Sequence, residues 1–328
     1  MQYPGTGSDH LSGHRSTPMP LSIVVPCYNE EAVLPETLRR LGATLDRLTE
    51  LGKIAGGSEI ILVDDGSQDR TWELVRDAHA RDRRIRGVKL STNRGHQIAL
   101  IAGLWAASGD AVVSIDADLQ DDIEAMERMV DAYMSGNEIV YGVRTSRATD
   151  AQFKRSSAGA YYSLLKLFGV RIVRQHADYR LLSRRALESL KQYSEVNLFL
   201  RGIVPLMGYR SAIVPYERTA RFAGESKYPL RKMLALAFDG ITSFSAVPLR
   251  FIAVLGLAVS ALSLALMLWV LWVKLATTSA LPGWASSVVP IYFLGGIQLL
   301  SIGVLGEYMA KLYIESKHRP RYFVEETL

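Results

Sequence analysis

The run Val112-Val113-Ser114-Ile115-Asp116-Ala117-Asp118-Leu119-Gln120-Asp121-Asp122 opens as an apolar, β-branched strand and ends in two carboxylates one residue apart. Where the strand stops its alternation stops too, so Asp116 and Asp118 can turn toward one point. Two hard oxygen ligands at a strand end, followed by the amide of Gln120, suit Mg²⁺ or Mn²⁺. Mg²⁺ is usually held by one or two carboxylates together with substrate phosphates. A nucleotide diphosphate is the natural companion of such a pair. A solvated acidic turn is the alternative that this run alone leaves open.

Similar units flank it. Leu21–Pro26 reads as a strand stopped by Pro26, followed by the loop Cys27-Tyr28-Asn29-Glu30-Glu31. Leu34, Leu38, Leu41, Leu45 and Leu48 keep helical spacing over Glu31–Leu51. Glu59–Asp65 is a second strand ending in carboxylates, and Asp69 is placed to cap a helix over Arg70–Arg81. Strands over Arg86–Leu90 and Glu138–Gly142 and helices over Gln97–Ala107 and Ile123–Ser135 complete a βα alternation with short loops, the pattern of a doubly wound, mainly parallel sheet. Ligands of such sheets bind outside the carboxyl ends of the strands. Three polar clusters, Tyr28-Asn29-Glu30, Asp64-Asp65 and Asp116/Asp118, converge there, which favours a site over a solvated turn. No dinucleotide fingerprint and no P-loop follows the first strand.

Beyond Asp150 the pattern is mixed. A helix is expected over Phe153–Phe168, a polar-aromatic insert at Asp178-Tyr179-Arg180-Leu181, a helix over Arg184–Tyr193, and an edge strand over Ser211–Tyr216 stopped by Pro215. Arg218–Lys232 is basic, either a solvated linker or an anion-binding loop. Leu230–Val247 is amphipathic with a basic start, as in interfacial helices. Phe251–Val273, roughly 23 uncharged residues, and Val288–Leu305 are each of spanning length. Lys and Arg flank both spans, and only Lys274 lies between them, so both termini and the α/β domain are expected on the cytosolic side of the inner (cytoplasmic) membrane. Gly295, Gly296, Gly303 and Gly306 are small residues suited to close helix packing and self-association. The net charge of +5 gathers at the membrane boundary rather than on an aromatic-studded groove, which argues against nucleic acid. The single cysteine, Cys27, excludes an internal disulfide and reads as packing. Met1–Pro20, rich in Gly, Ser, His and Pro, reads as a disordered tail.

Several stretches together resemble the inverting family-2 glycosyltransferases, and among them the membrane-anchored polyprenyl-phosphate enzymes related to dolichol-phosphate mannose synthase. They are Val24-Val25-Pro26-Cys27-Tyr28-Asn29-Glu30, Val63-Asp64-Asp65-Gly66-Ser67, Asn93-Arg94-Gly95, Asp116-Ala117-Asp118-Leu119-Gln120-Asp121, Gly142-Val143-Arg144, Asp178-Tyr179-Arg180-Leu181 and Gly224-Glu225-Ser226-Lys227-Tyr228. The resemblance implies a GT-A nucleotide-sugar glycosyltransferase fold, a Rossmann-like variant of the sheet, over residues 21–227. Interfacial helices over 228–249, two transmembrane helices over 250–314 and a cytosolic tail over 315–328 would follow.

By the same resemblance Pro26, Tyr28, Asn29, Glu30, Val63, Asp64, Asp65, Gln97 and Ala117 would line the nucleotide-sugar pocket. Asp116, Asp118 and Gln120 would hold Mg²⁺ or Mn²⁺, and Arg221 and Lys227 would close on the donor diphosphate. Arg144, Arg155 and Arg180 would hold the acceptor phosphate, with Arg144 and Arg155 joining Asp116 and Asp118 in catalysis. The implied partners are a UDP-hexose, UDP-glucose first, a polyprenyl phosphate such as undecaprenyl phosphate, the bilayer and a second copy of the chain. Two departures from the family stand out. Asp121-Asp122 replaces a proline in many relatives and is expected only to alter a helix start, and Tyr179 replaces a common Phe. His96, beside the donor pocket, reads as a loop residue bonded to backbone. The competing functions are a processive polysaccharide synthase, for which two spans are few, a synthase using GDP-mannose, and a non-catalytic nucleotide-binding module.

Overall fold

In the computed structural model the structure describes residues 15, 17–145, 176–195, 200–217, 247–276 and 284–328. The expected helix over 153–168, the amphipathic segment over 230–246, and Arg155, Arg221 and Lys227 lie outside them.

β1 (Leu21–Cys27), β2 (Glu59–Asp64), β3 (Ile85–Leu90) and β4 (Ala111–Ser114) form a parallel block in the order β4-β1-β2-β3. Every residue of β1, β2 and β4 is buried, as in a sheet covered on both faces. One face of β1, with Leu21, Ile23 and Val25, belongs to the core cluster that takes in Leu34, Leu41, Leu45 and Leu48 of α1 (Leu34–Glu50). Pro35 opens that helix where a missing N–H costs nothing. The other face carries α3 (His96–Ala106). A Cβ at Gly103 would lie 2.4 Å from Val24 Cγ1 and 2.7 Å from Val63 Cγ2, so α3 sits on β1 and β2 at a distance only glycine allows. α2 (Thr71–Arg81) and α4 (Ala125–Met134) complete the alternation.

The far side of the sheet departs from expectation. Asp178-Tyr179-Arg180-Leu181 is no insert but lies in β6 (His176–Ser183), a central strand antiparallel to both β4 and β5 (Ile139–Arg144). Its alternation was hidden because one face carries Asp178 and Arg180, a buried ion pair 2.5 Å apart, where an apolar residue is usual. β7 (Ser211–Tyr216) is an edge strand parallel to β5, and it continues through Pro215, which an edge tolerates. α5 (Arg184–Lys191) and α6 (Leu200–Leu206) flank this part. At the other edge, β8 (Val324–Thr327) lies antiparallel to β3. The terminal segment expected as a tail thus joins the sheet, giving the order β7-β5-β6-β4-β1-β2-β3-β8.

The expected N-terminal tail is also partly built in. Met19 is buried and bridges to Ile54, and Arg15 pairs with Glu138 at 2.6 Å and stacks over Tyr133. An apolar anchor and a cation with both carboxylate and aromatic partners hold this segment.

A second unit contains α7 (Val247–Ala276) and α8 (Trp284–Ser316). Among the described residues one stretch, Phe293–Ser316, is long and apolar enough to cross a membrane. α7 contributes a shorter apolar stretch, Val247–Val259. Among the described residues, a Cβ at Gly295, Gly303 or Gly306 would meet nothing within 4 Å.

Glu59, at the amino end of β2, ties the parallel block together. Its Oε1 accepts from Ser22 Oγ (2.7 Å), Ser108 N (2.8 Å) and Ser108 Oγ (2.7 Å), and Oε2 pairs with Arg86 at 2.9 Å. Burial alone would raise its pKa, but the bonds from Arg86, Ser22 and Ser108 outweigh burial and hold it below the usual range. A lowered folded pKa gives stability that is present above the unfolded value and is lost as pH falls through the folded one. Glu59→Ala is expected to cost about 2–3 kcal/mol by orphaning buried donors. Glu59→Gln should flatten the loss of stability below about pH 4. Denaturant unfolding across that pH range checks both.

Candidate active site

The loops leaving β1 and β2 are laced into one body. Asn29, at φ 55°, donates its N–H to Ser67 Oγ (3.0 Å) and accepts Gln68 N–H on Oδ1 (2.8 Å). Glu30 N–H reaches Thr71 Oγ1 (2.9 Å), and Glu31 N–H reaches Asp69 Oδ2 (3.1 Å). Asp69 Oδ1 takes Thr71 N–H at 3.0 Å, but the N-cap position expected of Asp69 falls to Arg70, one residue later. Asp65 is buried and accepts from Arg94 N–H (2.7 Å) and Gly95 N–H (2.8 Å), which fixes the start of α3. Gly66, at φ 70°, lets the β2 exit pass that loop: a Cβ there would sit 2.7 Å from Asn93 N. Tyr28 stays 43% exposed beside this body, an aromatic face open to a ligand. Gln97 is half-buried in the first turn of α3.

Five residues expected in the donor pocket, Pro26, Val63, Asp64, Asp65 and Ala117, are buried. Val63 is fully buried beneath α3, so its side chain is scaffold. Asp64 is also fully buried, with Oδ1 accepting Ser67 N–H at 3.3 Å and burial raising its pKa. Pro26 is the register partner of Val63 and lies within β1. Burial likewise pushes up the Cys27 thiol, as befits a packing residue.

The chain leaving β4 makes a tight turn. Ile115 N–H still bonds Val24 O (3.0 Å), and Asp116 then emerges half-exposed. Ala117 is buried, and its carbonyl accepts from Thr37 Oγ1 of α1 at 2.8 Å. Asp118 Oδ1 accepts Gln120 N–H at 3.2 Å around Leu119, which adopts φ 55°. A non-glycine residue held there costs about 1–3 kcal/mol, and such strain collects at ligand sites.

His96 Nε2 lies 2.9 Å from Asp116 Oδ1. It is therefore a partner of the acidic pair, and the expected backbone bond gives way to a carboxylate. Burial alone would lower its pKa, but the bond to Asp116 and the nearby Asp178 raise it. Behind it Asp178 pairs with Arg180 (2.5 Å) and Arg201 (3.0 Å), and its carboxyl is held well below the usual range by these two guanidiniums despite burial. Arg180 is only 1% exposed, so it cannot meet an acceptor phosphate at the surface. It braces Asp178 instead.

Arg144 is presented at the rim by two other groups. Its Nε donates to Tyr216 Oη (3.1 Å) and its Nη2 to Asp121 Oδ1 (3.2 Å), while Tyr216 Oη donates to Asp121 Oδ1 (2.6 Å). Asp121 is buried and does more than alter a helix start: it orients the guanidinium. Its pKa is raised by burial, with Arg144 opposing. Burial alone would lower the Arg144 pKa, but Asp121 and Tyr216, with Asp116 nearby, raise it. The Tyr179 hydroxyl, absent from a Phe, donates to Asp122 O at 3.1 Å and secures the same loop. Thr37, Asp121 and Tyr216 carried no local signal, since the partners they brace are 23 to 95 residues away.

A cavity of about 310 Å³ opens at this rim, lined in part by Tyr28, Ser67, Lys89 and Asn93. A larger one, about 620 Å³, involves Met19, Asp110 and Arg184, at the amino ends of the strands where this sheet class does not bind ligands. Asp116 and Asp118 offer oxygen donors of the kind Mg²⁺ or Mn²⁺ takes. Among the described residues no group of three or more acidic, His or Cys side chains closes a cage. The two carboxylates fit a hard divalent cation.

The description "Glycosyl transferase family 2" matches residues 22–191, more than half of the chain. The chain is 50% identical to the uncharacterized glycosyltransferase YkoT of Bacillus subtilis (strain 168), covering 93% of this chain and 91% of that protein. It is 39% identical to the bactoprenol glucosyl transferase of Shigella phage SfV, covering 94% and 98%. Among solved structures it is similar to glucosyl-3-phosphoglycerate synthase of Mycobacterium tuberculosis (TM-score 0.45, 20% identity, 74% of this chain and 83% of that one), a likeness too loose to carry a functional argument. On the family match and the full-length relatives, the chain belongs to glycosyltransferase family 2.

Proposed function

We propose that the chain is an inverting glucosyltransferase that moves glucose from UDP-glucose to a polyprenyl phosphate at the cytosolic face of a membrane. The observation that carries the reading is the pairing of Asp116 and Asp118 at the β4 exit with an Arg144 held in place by Asp121 and Tyr216. A metal-diphosphate end and a phosphate-binding guanidinium then share one rim. The names of relatives 38–39% identical over 94% of the chain, bactoprenol glucosyl transferases, support glucose and a polyprenyl carrier.

In this reading Asp116, Asp118 and Gln120 hold Mg²⁺ or Mn²⁺ against the donor diphosphate. The bound ion supplies Lewis-acid stabilisation of the departing UDP. Tyr28 and the Asn29–Glu30 loop, braced on Ser67, Gln68 and Thr71, hold the nucleoside, and Asp65 keeps the facing loop in register. Arg144, with Arg155, presents the acceptor phosphate, for which a guanidinium offers paired donors. Arg221 and Lys227 close on the diphosphate. The acceptor is already anionic at neutral pH, so alignment and electrostatics suffice without a strong general base. Its phosphate oxygen bonds to the anomeric carbon as the carbon–oxygen bond to UDP breaks, which gives a β-linked product from an α-linked donor.

The membrane part of the proposal takes Phe293–Ser316 as one span and adds α7, whose described apolar stretch is shorter, as a second. Large apolar side chains stand exposed along both helices, among them Leu257, Trp272, Phe293 and Leu299, as lipid-facing residues do. The flanking cations put both termini in the cytosol, and pairing of chains through the spans would make a homo-oligomer.

Transfer of labelled glucose from UDP-glucose to undecaprenyl phosphate in detergent is expected to need Mn²⁺ or Mg²⁺. It should fall by about 10²–10³ in Asp118→Ala, the size of loss that follows removal of one charge-stabilising group. Tyr216→Phe should keep the fold and raise the acceptor KM several-fold more than it lowers kcat. Transfer that survives chelation and Asp118→Ala, or that occurs only from GDP-mannose, contradicts the reading.

A further inference from the structure

The rim cavity has one wall that comes from the end of the chain. β8 runs antiparallel to β3, with Val88 opposite Thr327 and Leu90 opposite Val324. Ser91 N–H bonds Phe323 O (3.0 Å) and Leu328 N–H bonds Gly87 O (2.9 Å), so the pairing extends past both ends of the strand. The two glutamates of β8 part company. Glu326 turns to α2, accepting from Trp72 Nε1 (3.1 Å) and pairing with Arg76 (2.6 Å). Glu325 pairs with Lys89 at 2.9 Å, and both line the 310 Å³ cavity with Tyr28, Ser67 and Asn93.

Three features mark this pair as more than edge trim. An ion pair with one partner half-exposed adds little to stability. Glu326 and the backbone bonds already cover the β3 edge, which is what an exposed edge needs. Lys89 also lies close enough to the buried Asp64 carboxylate to act on it electrostatically, which places the ammonium at the β2 exit. The pair therefore offers donors and an acceptor side by side, in a cavity whose other wall is the exposed ring of Tyr28.

We propose that the C-terminal strand is a working wall of the nucleotide pocket, in which Lys89 and Glu325 position the nucleoside of the donor. The proposal rests on the donor reading above. The ammonium bonds carbonyl or hydroxyl oxygens of the nucleoside, and the carboxylate accepts its N–H or O–H groups. The diphosphate, held at the β4 exit, does not depend on the pair.

Titration calorimetry on the full chain in detergent with Mn²⁺ separates these contributions, with UDP and inorganic pyrophosphate as the two probes. Lys89→Ala and Glu325→Ala are each expected to weaken UDP five- to twenty-fold. Pyrophosphate affinity and Tm should stay unchanged, and the double variant should be no worse than the weaker single one. Variants that keep the wild-type preference for UDP over pyrophosphate overturn this proposal and leave the donor reading intact. Equal weakening of both probes, or a fall in Tm that accounts for the loss, also overturns it, because the strand is then scaffold only. A wild type with no preference for UDP over pyrophosphate overturns the donor reading and this proposal together.

Discussion

Two backbone bonds accepted by Asp65, from Arg94 and Gly95, set the position of much that follows. They tie the exit of β2 to the first turn of α3. That turn begins with His96, whose ring reaches Asp116 at the exit of β4. Loops from three strands are thereby linked, the two bonds to the buried Asp65 worth about 1.5–3 kcal/mol each and the exposed His96–Asp116 contact less. Without Asp65 the His96 ring would have no fixed origin, and the acidic pair would lose its neighbour.

The same rim manages an excess of acid. Asp64, Asp65, Asp116, Asp118 and Asp121 lie at or after the carboxyl ends of parallel strands, Asp178 joins them from the start of the antiparallel β6, and their compensations differ. Asp64 and Asp65 lean on backbone N–H groups, Asp121 on Arg144 and Tyr216, and Asp178 on Arg180 and Arg201. Asp116 and Asp118 are the members left at the surface of the rim. Buried carboxylates here serve as braces, and Asp116 and Asp118, bonded to His96 and to the Gln120 N–H, are the half-exposed pair we propose as cation ligands. Such a division places the braces under the reacting groups, where they limit motion without occupying the pocket.

From β1 to α4 the fold was legible because apolar periods switch cleanly between two and about 3.6, and because strand ends coincide with polar clusters. β6 was not, since Asp178 and Arg180 occupy the face where apolar residues would have shown a strand. β8 is four residues long and carries two glutamates, so it read as tail. In the site, spacing singles out Asp116 and Asp118, and the resemblance alone singles out Arg144; their roles are the ones proposed above. The brace residues Thr37, Asp121 and Tyr216 were not legible, because nothing local announces a hydroxyl that will meet a carbonyl eighty residues away. Arg180 misled for a physical reason: an arginine beside a motif looks available, and only packing reveals that its charge is spent on Asp178.

The proposed reaction turns on Asp116 and Asp118 holding a cation together with the donor diphosphate. Crystals of the full chain grown with Mn²⁺ and UDP, with data collected at the manganese edge, test it directly. The account predicts one strong anomalous peak within about 2.0–2.5 Å of an Asp118 carboxylate oxygen and of UDP phosphate oxygens, with the uracil beside Tyr28. A manganese peak elsewhere, or UDP bound at the rim with no metal at the carboxylates, would contradict it.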